Sequence, residues 1–322
     1  HRGQEVKGIG IQTAEGINTV RWKGTVSEFP SVDSKLLIGE LFSGHDRYST
    51  VGPKDTVLRD AHPHVIGGEE TFASDKFRVV TGAKKAVVHN GTIHEYERLL
   101  KELKIHGTFP QTACDSEGII HYYALHGLNR FMQDFPAAYA AIIQDPELEM
   151  KGGKGWAVAF RDPHGIRKAW VGKKNGRYIV ASEDSPIRRI GGVPIREIQR
   201  GEAVFIKDDV FYPVRMIIDA ENEGECFFEA PYFSSPESHS GNGKLNAAIR
   251  FDIGRQLGKE YAPEVDIVTW VPTSPEPHAR GYCFERGIED ILFEVFGKRR
   301  YRERSFTLGT QAEREASIKS NL

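Results

Sequence analysis

Lys84-Lys85-Ala86-Val87-Val88-His89-Asn90-Gly91 reads as a short buried strand ending in an Asn-Gly pair, where a turn with positive φ is expected. The next residues change period. Ile93, Tyr96, Leu99, Leu100 and Leu103 recur at helical spacing, which predicts a helix over Thr92–Leu103. Downstream, Asp115 stands where a helix N-cap belongs. Glu117 follows it, and Ile119, Ile120, Tyr123 and Leu125 fall on one side of the expected helix. Upstream lies Gly44-His45-Asp46-Arg47-Tyr48-Ser49-Thr50, an arginine set between a glycine and a hydroxyl-rich triplet. The three motifs bring together a guanidinium, a carboxylate and an amide beside a glycine. A pocket that holds an α-amino acid by both ends and stabilises an oxyanion on its side chain needs these groups.

Each motif has an ordinary reading as well. A loop arginine is commonly a surface ion pair, an Asn-Gly pair a simple turn, and an aspartate at a helix start a cap. Cys114 reads as a small buried hydrophobe rather than a nucleophile. The charged run Arg161-Asp162-Pro163-His164-Gly165-Ile166-Arg167 reads as a hairpin turn with a satisfied salt bridge, and His164 as a structural hydrogen-bonder. Lys298-Arg299-Arg300-Tyr301-Arg302-Glu303-Arg304 is either a solvated basic face or an anion-binding loop.

The chain has 322 residues, enough for two domains with sizeable cores. A net charge of -2 argues against nucleic acid or an anionic membrane as partner. No apolar run approaches bilayer length. Three widely spaced cysteines, Cys114, Cys226 and Cys283, form no CxxC pair, which argues against a disulfide framework and for a reducing cytoplasm. No zinc-type ligand spacing and no phosphate loop of the P-loop type is present.

Along the chain, Gly8–Gln12 and Thr19–Trp22 suggest a hairpin. Trp156–Phe160, Lys168–Val171, Tyr178–Ala181 and Ala203–Ile206 read as strands separated by turns. Strands flanked by helices fit sheets sandwiched between helical layers. A second unit begins near Glu223. Within it Asn246–Tyr261 is an amphipathic helix, Val265–Val271 an apolar run suited to a buried parallel strand, and Pro272–Pro277 a loop. His1-Arg2-Gly3-Gln4-Glu5 and Ser320-Asn321-Leu322 both read as the interior of a longer chain, so a fragment is expected.

The order of the motifs and the text between them resemble the glutamine phosphoribosylpyrophosphate amidotransferases. His1–Glu5 resembles the family's HRGQE segment, Gly44–Thr50 its GHxRYST box, His89–Gly91 its HNG box, and Asp115–Glu117 its D-T/S-E helix start. Arg161–Arg167 reproduces the RDPHGIRP turn, with Lys168 in place of the proline. Cys226-Phe227-Phe228-Glu229, Tyr232-Phe233 and Pro236-Glu237-Ser238 echo the CxFEYVYFxRPDS stretch. The match loosens further on. VPDSG becomes Val271-Pro272-Thr273-Ser274-Pro275, and NRYVGRTFI becomes Arg299–Thr307; Thr310-Gln311 keeps the family's TQ.

The resemblance implies a four-layer αββα N-terminal-nucleophile glutaminase domain over 1–222, short of its first strand. A truncated α/β type I phosphoribosyltransferase domain would follow over 223–322. It implies glutamine hydrolysis by an N-terminal cysteine, with the ammonia passed to phosphoribosylpyrophosphate to give phosphoribosylamine in purine synthesis. Arg47 would hold the glutamine carboxylate, Asp115 the ammonium, and Asn90 and Gly91 the oxyanion. Ser274 would lie near a magnesium ion, and Arg300, Tyr301 and Arg304 would close over the sugar. A homo-oligomer is implied; an iron–sulfur cluster is not, although some members ligate one through the position of Cys226. The chain opens at His1, not at cysteine, so it is expected to be inactive as it stands. An amidotransferase with another acceptor, or a nucleophile-free glutamine sensor, are the alternatives.

Overall fold

The structure is a computed structural model that describes residues 5–47, 57–217, 224, 226–297, 311–312 and 314–316. The chain divides into two compact units, one formed by residues 1–182 and 187–225, the other by 183–186 and 226–322.

The first unit starts with the expected hairpin. Strands β1 (Val6–Thr13) and β2 (Gly16–Lys23) pair antiparallel, Thr13 facing Gly16 and Val6 facing Lys23. Both strands are buried on nearly every residue, because they lie between two layers. With β3 (Leu41–Arg47), β5 (Glu69–Ala73) and β6 (Phe77–Ala83) they make a sheet of order β3-β1-β2-β6-β5. Its outer face carries Val20, Trp22 and Val79, packed against Phe29, Val32 and Leu36 from the segment that contains two short 3-10 turns.

A second sheet has the order β14-β13-β9-β8-β7-β4. Here β4 is His64–Ile66, β7 Lys85–Thr92, β8 Ala138–Met150, β9 Gly153–Arg161, β13 Glu202–Lys207 and β14 Val210–Arg215. Helices α1 (Tyr96–Ile105) and α2 (Asp115–Asp134) cover one face through Leu99, Leu103, Ile119, Ile120 and Phe131, which meet Val87, Ile143, Val158 and Phe160. The opposite face meets the first sheet. Buried Gln144 fixes that contact, accepting from Ser43 Oγ at 2.7 Å and donating to Leu41 O at 3.1 Å. A three-stranded sheet of β10 (Trp170–Lys174), β11 (Arg177–Ala181) and β12 (Val193–Glu197) packs beside it through Ala169, Val171 and Ile198. The short helix α3 (Asp184–Arg189) lies between β11 and β12 in sequence.

Several local expectations change. The Asn90-Gly91 pair is no turn; both residues lie within β7, facing Ala140 and Tyr139 of β8. Gly91 has φ +152°, and a Cβ there would sit 2.0 Å from Ala138 O and 2.7 Å from Tyr139 Cα. The glycine is required by close strand approach, not by a reversal of direction. The helix that follows starts at Tyr96 rather than Thr92, because Thr92 still pairs with Ala138. Gly91→Ala is therefore expected to cost about 3 kcal/mol, roughly 6–10 °C in thermal midpoint. A shift below about 2 °C by calorimetry would contradict this steric account.

The Arg161–Arg167 turn joins β9 to β10, which belong to different sheets, so it is a corner and not a hairpin. Its charges close on the backbone. Arg161 donates to Ile198 O at 2.8 Å and to the carbonyls of Gly165 and Arg167, and pairs with Glu197 at 2.8 Å. The Asp162 carboxylate accepts from the N–H groups of Gly165 (2.6 Å), Ile166 (3.0 Å), Arg167 (3.0 Å) and Tyr139 (3.3 Å).

In the second unit α4 (Asn246–Glu260) packs on α5 (Glu276–Arg286). Arg250, 2% exposed, donates to the carbonyls of Ala230, Tyr232 and Ser234 and so fixes the segment before α4. The apolar run Val265–Val271 does not form the expected strand. Among the described residues it makes a single parallel bridge, Val268 to Leu292, and Val265, Ile267 and Val271 are exposed. A buried parallel strand needs neighbours on both sides, and among the described residues the run has only the short Ile291–Phe293 stretch on one side.

Candidate functional site

Three segments of the first unit converge at the end of β7. The first is β3, where His45 and Arg47 are two residues apart and project to one side of the strand. Gly8 faces His45 on β1, and a Cβ on Gly8 would lie 1.7 Å from His62 O. That glycine lets the His62 backbone lie against the strand. The second segment is the His62–His64 stretch that leads into β4, and the third is the start of α2.

Asp115 is the first residue of α2 and Cys114 its N-cap, which shifts the expected cap by one position. The Asp115 carboxylate is used across the fold instead. Its Oδ2 accepts the Ile93 backbone N–H at 2.8 Å, and its Oδ1 lies 3.8 Å from His89 Nδ1. The helix start is thereby tied to the segment that carries Asn90 and Gly91. Glu117 ties down the loop before the helix, accepting from Gln111 N at 2.8 Å, Thr112 N at 2.7 Å and Thr112 Oγ1 at 2.6 Å. Burial acts to raise the Glu117 pKa, but these bonds and one from His121 outweigh it and bring the carboxyl to about 2.

Around these groups lies a histidine cluster that sequence reading missed. The rings of His45 and His62 are 4.0 Å apart and those of His62 and His64 5.0 Å apart. The Ser116 hydroxyl bridges His62 Nε2 at 2.7 Å and His89 Nδ1 at 2.9 Å. A hydroxyl has one proton to give, so at least one of these ring nitrogens carries an N–H directed at it. Burial pushes His45 and His64 down to about 3, assisted by the charge of Arg47 for His45 and of Arg21 for His64. His62 and His89 are lowered too, chiefly by burial. All four imidazoles are therefore neutral near pH 7.

Cys114 is half-buried. Its sulfur lies 3.4 Å from Ser116 Oγ and 3.9 Å from Asp115 Oδ1, and burial raises its thiol pKa. A thiol held protonated is a poor nucleophile, in keeping with its sequence reading. Arg47 acts electrostatically on His45, His62, His64 and Cys114, and its Nη1 is buried without a hydrogen-bond partner among the described residues. The fold thus brings Arg47, the Asn90-Gly91 strand end and Asp115 to one place.

The remaining expected residues belong to the second unit by sequence. Ser274 lies in the loop before α5. No third acid or histidine gathers there among the described residues, and Glu276 is held by Arg280 at 2.9 Å. One hydroxyl does not make a magnesium site, so these residues do not fit an ion held by the chain. Arg300, Tyr301 and Arg304 lie outside the described residues. A cavity of about 380 Å³, lined by Arg21, Arg59, His64, Glu70, Arg78 and Glu117, adjoins the cluster through His64 and is distinct from the Arg47–Asp115 site. No helix among the described residues is long and apolar enough to cross a membrane.

Comparison with known proteins adds the following. Residues 76–189 match the family model described as a glutamine amidotransferase domain. The chain is 31% identical over 329 residues to an amidophosphoribosyltransferase of Archaeoglobus fulgidus, covering 99% of this chain and 66% of that protein. It is 30% identical to that of Bacillus subtilis over 330 residues, with coverages of 100% and 64%. Among solved structures it resembles the glutamine phosphoribosylpyrophosphate amidotransferase of B. subtilis complexed with ADP and GMP. The TM-score is 0.77 at 27% identity, covering 98% of this chain and 65% of that one. A structure described as the allosteric regulatory enzyme of purine biosynthesis gives a TM-score of 0.78 at 28% identity. The chain thus spans 64–66% of the length of these two sequence relatives.

Proposed function

The chain belongs to the amidophosphoribosyltransferase family, and from that premise we propose that its first unit binds glutamine for an enzyme that moves the amide nitrogen to phosphoribosylpyrophosphate. The observation that carries this reading is the bond from Ile93 N–H to Asp115 Oδ2. It locks the ammonium-binding carboxylate to the strand end that carries the oxyanion donors.

Arg47 then takes the α-carboxylate of glutamine through its guanidinium fork, and Asp115 Oδ1 the α-ammonium. The side-chain amide lies toward Asn90 and Gly91. As a nucleophile adds to that amide, charge collects on its oxygen, and the Asn90 amide and Gly91 N–H stabilise it. His89 and Ser116 keep the Asp115 carboxylate in place. The chain works as a homo-oligomer in the cytoplasm, and any magnesium ion is held mainly by the phosphate oxygens of the acceptor.

Titration calorimetry with L-glutamine tests the pocket. The chain is expected to bind, and Arg47→Lys to lose roughly 10- to 100-fold in affinity as a bidentate contact becomes a point charge. Asp115→Asn is expected to lose a similar amount. Unchanged affinity in both variants would refute the assignment.

One observation favours another acceptor: the Val271–Pro275 loop itself contains no acidic residue. Glutamine consumption by the encoded protein, measured with and without phosphoribosylpyrophosphate, separates the readings. Coupled pyrophosphate release supports the first, and glutamine loss without it supports the second.

A further inference from the structure

The histidine cluster has a property that amino-acid binding does not use. One ring nitrogen each from His62 and His64 and the Cys114 sulfur lie within 4.8 Å of one another. Two imidazoles and a thiol form a donor set of borderline softness, which suits Zn²⁺ and its spectroscopic substitute Co²⁺. Ligand atoms around tetrahedral zinc are about 3.3–3.8 Å apart, so closure requires movements of roughly 1 Å.

A second observation points the same way. His62 Nδ1 and His64 Nε2 are buried and have no hydrogen-bond partner among the described residues, and the two residues are only 4% and 3% exposed. A buried polar atom without a partner is costly, and a metal ion is one way to satisfy it. Ser116, bonded to His62 Nε2 and 3.4 Å from the Cys114 sulfur, fixes the orientation of ring and thiol. The cavity lined by His64 offers a route from solvent. Arg21 and Arg47 oppose a cation here, while Asp115, Glu117 and the thiolate formed on binding offset them.

We propose that His62, His64 and Cys114 form a zinc-class metal site on the wall of the Arg47–Asp115 pocket, leaving one coordination position open. Binding replaces the thiol proton, so one proton leaves the sulfur for solvent as the Zn–S bond forms. Asp115 Oδ1 is 3.9 Å from that sulfur, and a bound dication there opposes an incoming ammonium. Metal occupancy and amino-acid occupancy are consequently antagonistic, a consequence that rests on the glutamine reading above.

The test uses the purified 322-residue chain. It is freed of metal with a chelator and titrated with Co²⁺, then with Zn²⁺ against a chromophoric chelator. One equivalent is expected, with a thiolate-to-cobalt band in the near ultraviolet. That band should vanish in Cys114→Ser, and binding should weaken at least about tenfold in His64→Gln. No stoichiometric binding at low micromolar metal would overturn the site, as would a cobalt–thiolate band that persists in Cys114→Ser. Circular dichroism of each variant shows whether it has folded, and Cys226→Ser is expected to keep the band. Glutamine affinity measured with and without one equivalent of zinc is expected to fall at least about tenfold in the loaded protein. Unchanged affinity would overturn the antagonism, while the cobalt band decides the site without reference to glutamine.

Discussion

Asp162→Ala is expected to destabilise the first unit by about 3–5 kcal/mol, on the order of 10 °C in thermal midpoint. The Asp162 side chain is fully buried and accepts from the backbone N–H groups of Gly165, Ile166, Arg167 and Tyr139. Removing the carboxylate strips these donors of their side-chain acceptor; the Gly165 N–H keeps the Asp162 backbone carbonyl at 3.2 Å, and the others lose theirs. Each buried orphan costs about 1–3 kcal/mol, less where water reaches it. Ile166 and Arg167 are only part-buried, so water relieves part of the loss and sets the upper bound. The corner between two sheets is also held at Asp162 by its own backbone, through Tyr139 O at 2.9 Å and Gly201 N–H at 3.0 Å. Asp162→Asn should therefore give an intermediate loss, since one oxygen remains and an N–H group now faces donors. Denaturant melts of the three proteins check the order, and an alanine variant within about 1 kcal/mol of the parent would refute it.

The legible parts of the fold were those whose pattern is local. The β1–β2 hairpin, the strand at Ala203–Ile206 and helix α4 follow from alternation or helical spacing within a few residues. Strand β8 did not show itself: Ala138–Ile143 is buried on both faces, which erases alternation, and its register shifts between Asp145 and Glu149. Val265–Val271 failed in the opposite sense, because an apolar run makes a strand only where partners exist. An Asn-Gly pair signals a turn through its need for positive φ, whereas at Gly91 the need comes from Ala138 O on the neighbouring strand.

For the site, the motifs single out Arg47, the Asn90-Gly91 pair and Asp115 as candidates, and the fold brings their segments together. The histidines were invisible for a physical reason. His45, His62 and His64 come from two segments some 17–19 residues apart, and their neighbours Cys114 and Ser116 from a third, so no spacing rule links them. Only the packing of β3 on β1, and Gly8 beneath His62, brings the rings into contact.

That packing has a thermodynamic consequence, expected as a steep acid dependence of stability. In the folded unit His45 and His64 are held down to about 3, first by burial and then by neighbouring cations; in the unfolded chain each titrates near 6.5. Below 6.5 the unfolded chain takes up protons that the folded one refuses, so stability present above that pH is lost as pH falls toward 3. Each such histidine contributes a slope of up to about 1.4 kcal/mol per pH unit, or about 2 kcal/mol between pH 7 and pH 5. Together His45 and His64 account for about 4 kcal/mol over that interval, with His62 and His89 acting in the same direction. Carboxylates do not mimic this. Glu117, lowered to about 2, loses its contribution only below its unfolded value of 4.5. Urea unfolding at pH 7, 6 and 5 in the presence of a chelator measures the slope, and His64→Gln should remove about a quarter to a half of it. Equal stability at pH 7 and pH 5, or an unaltered slope in His64→Gln, would show that the imidazoles are not held neutral by the fold.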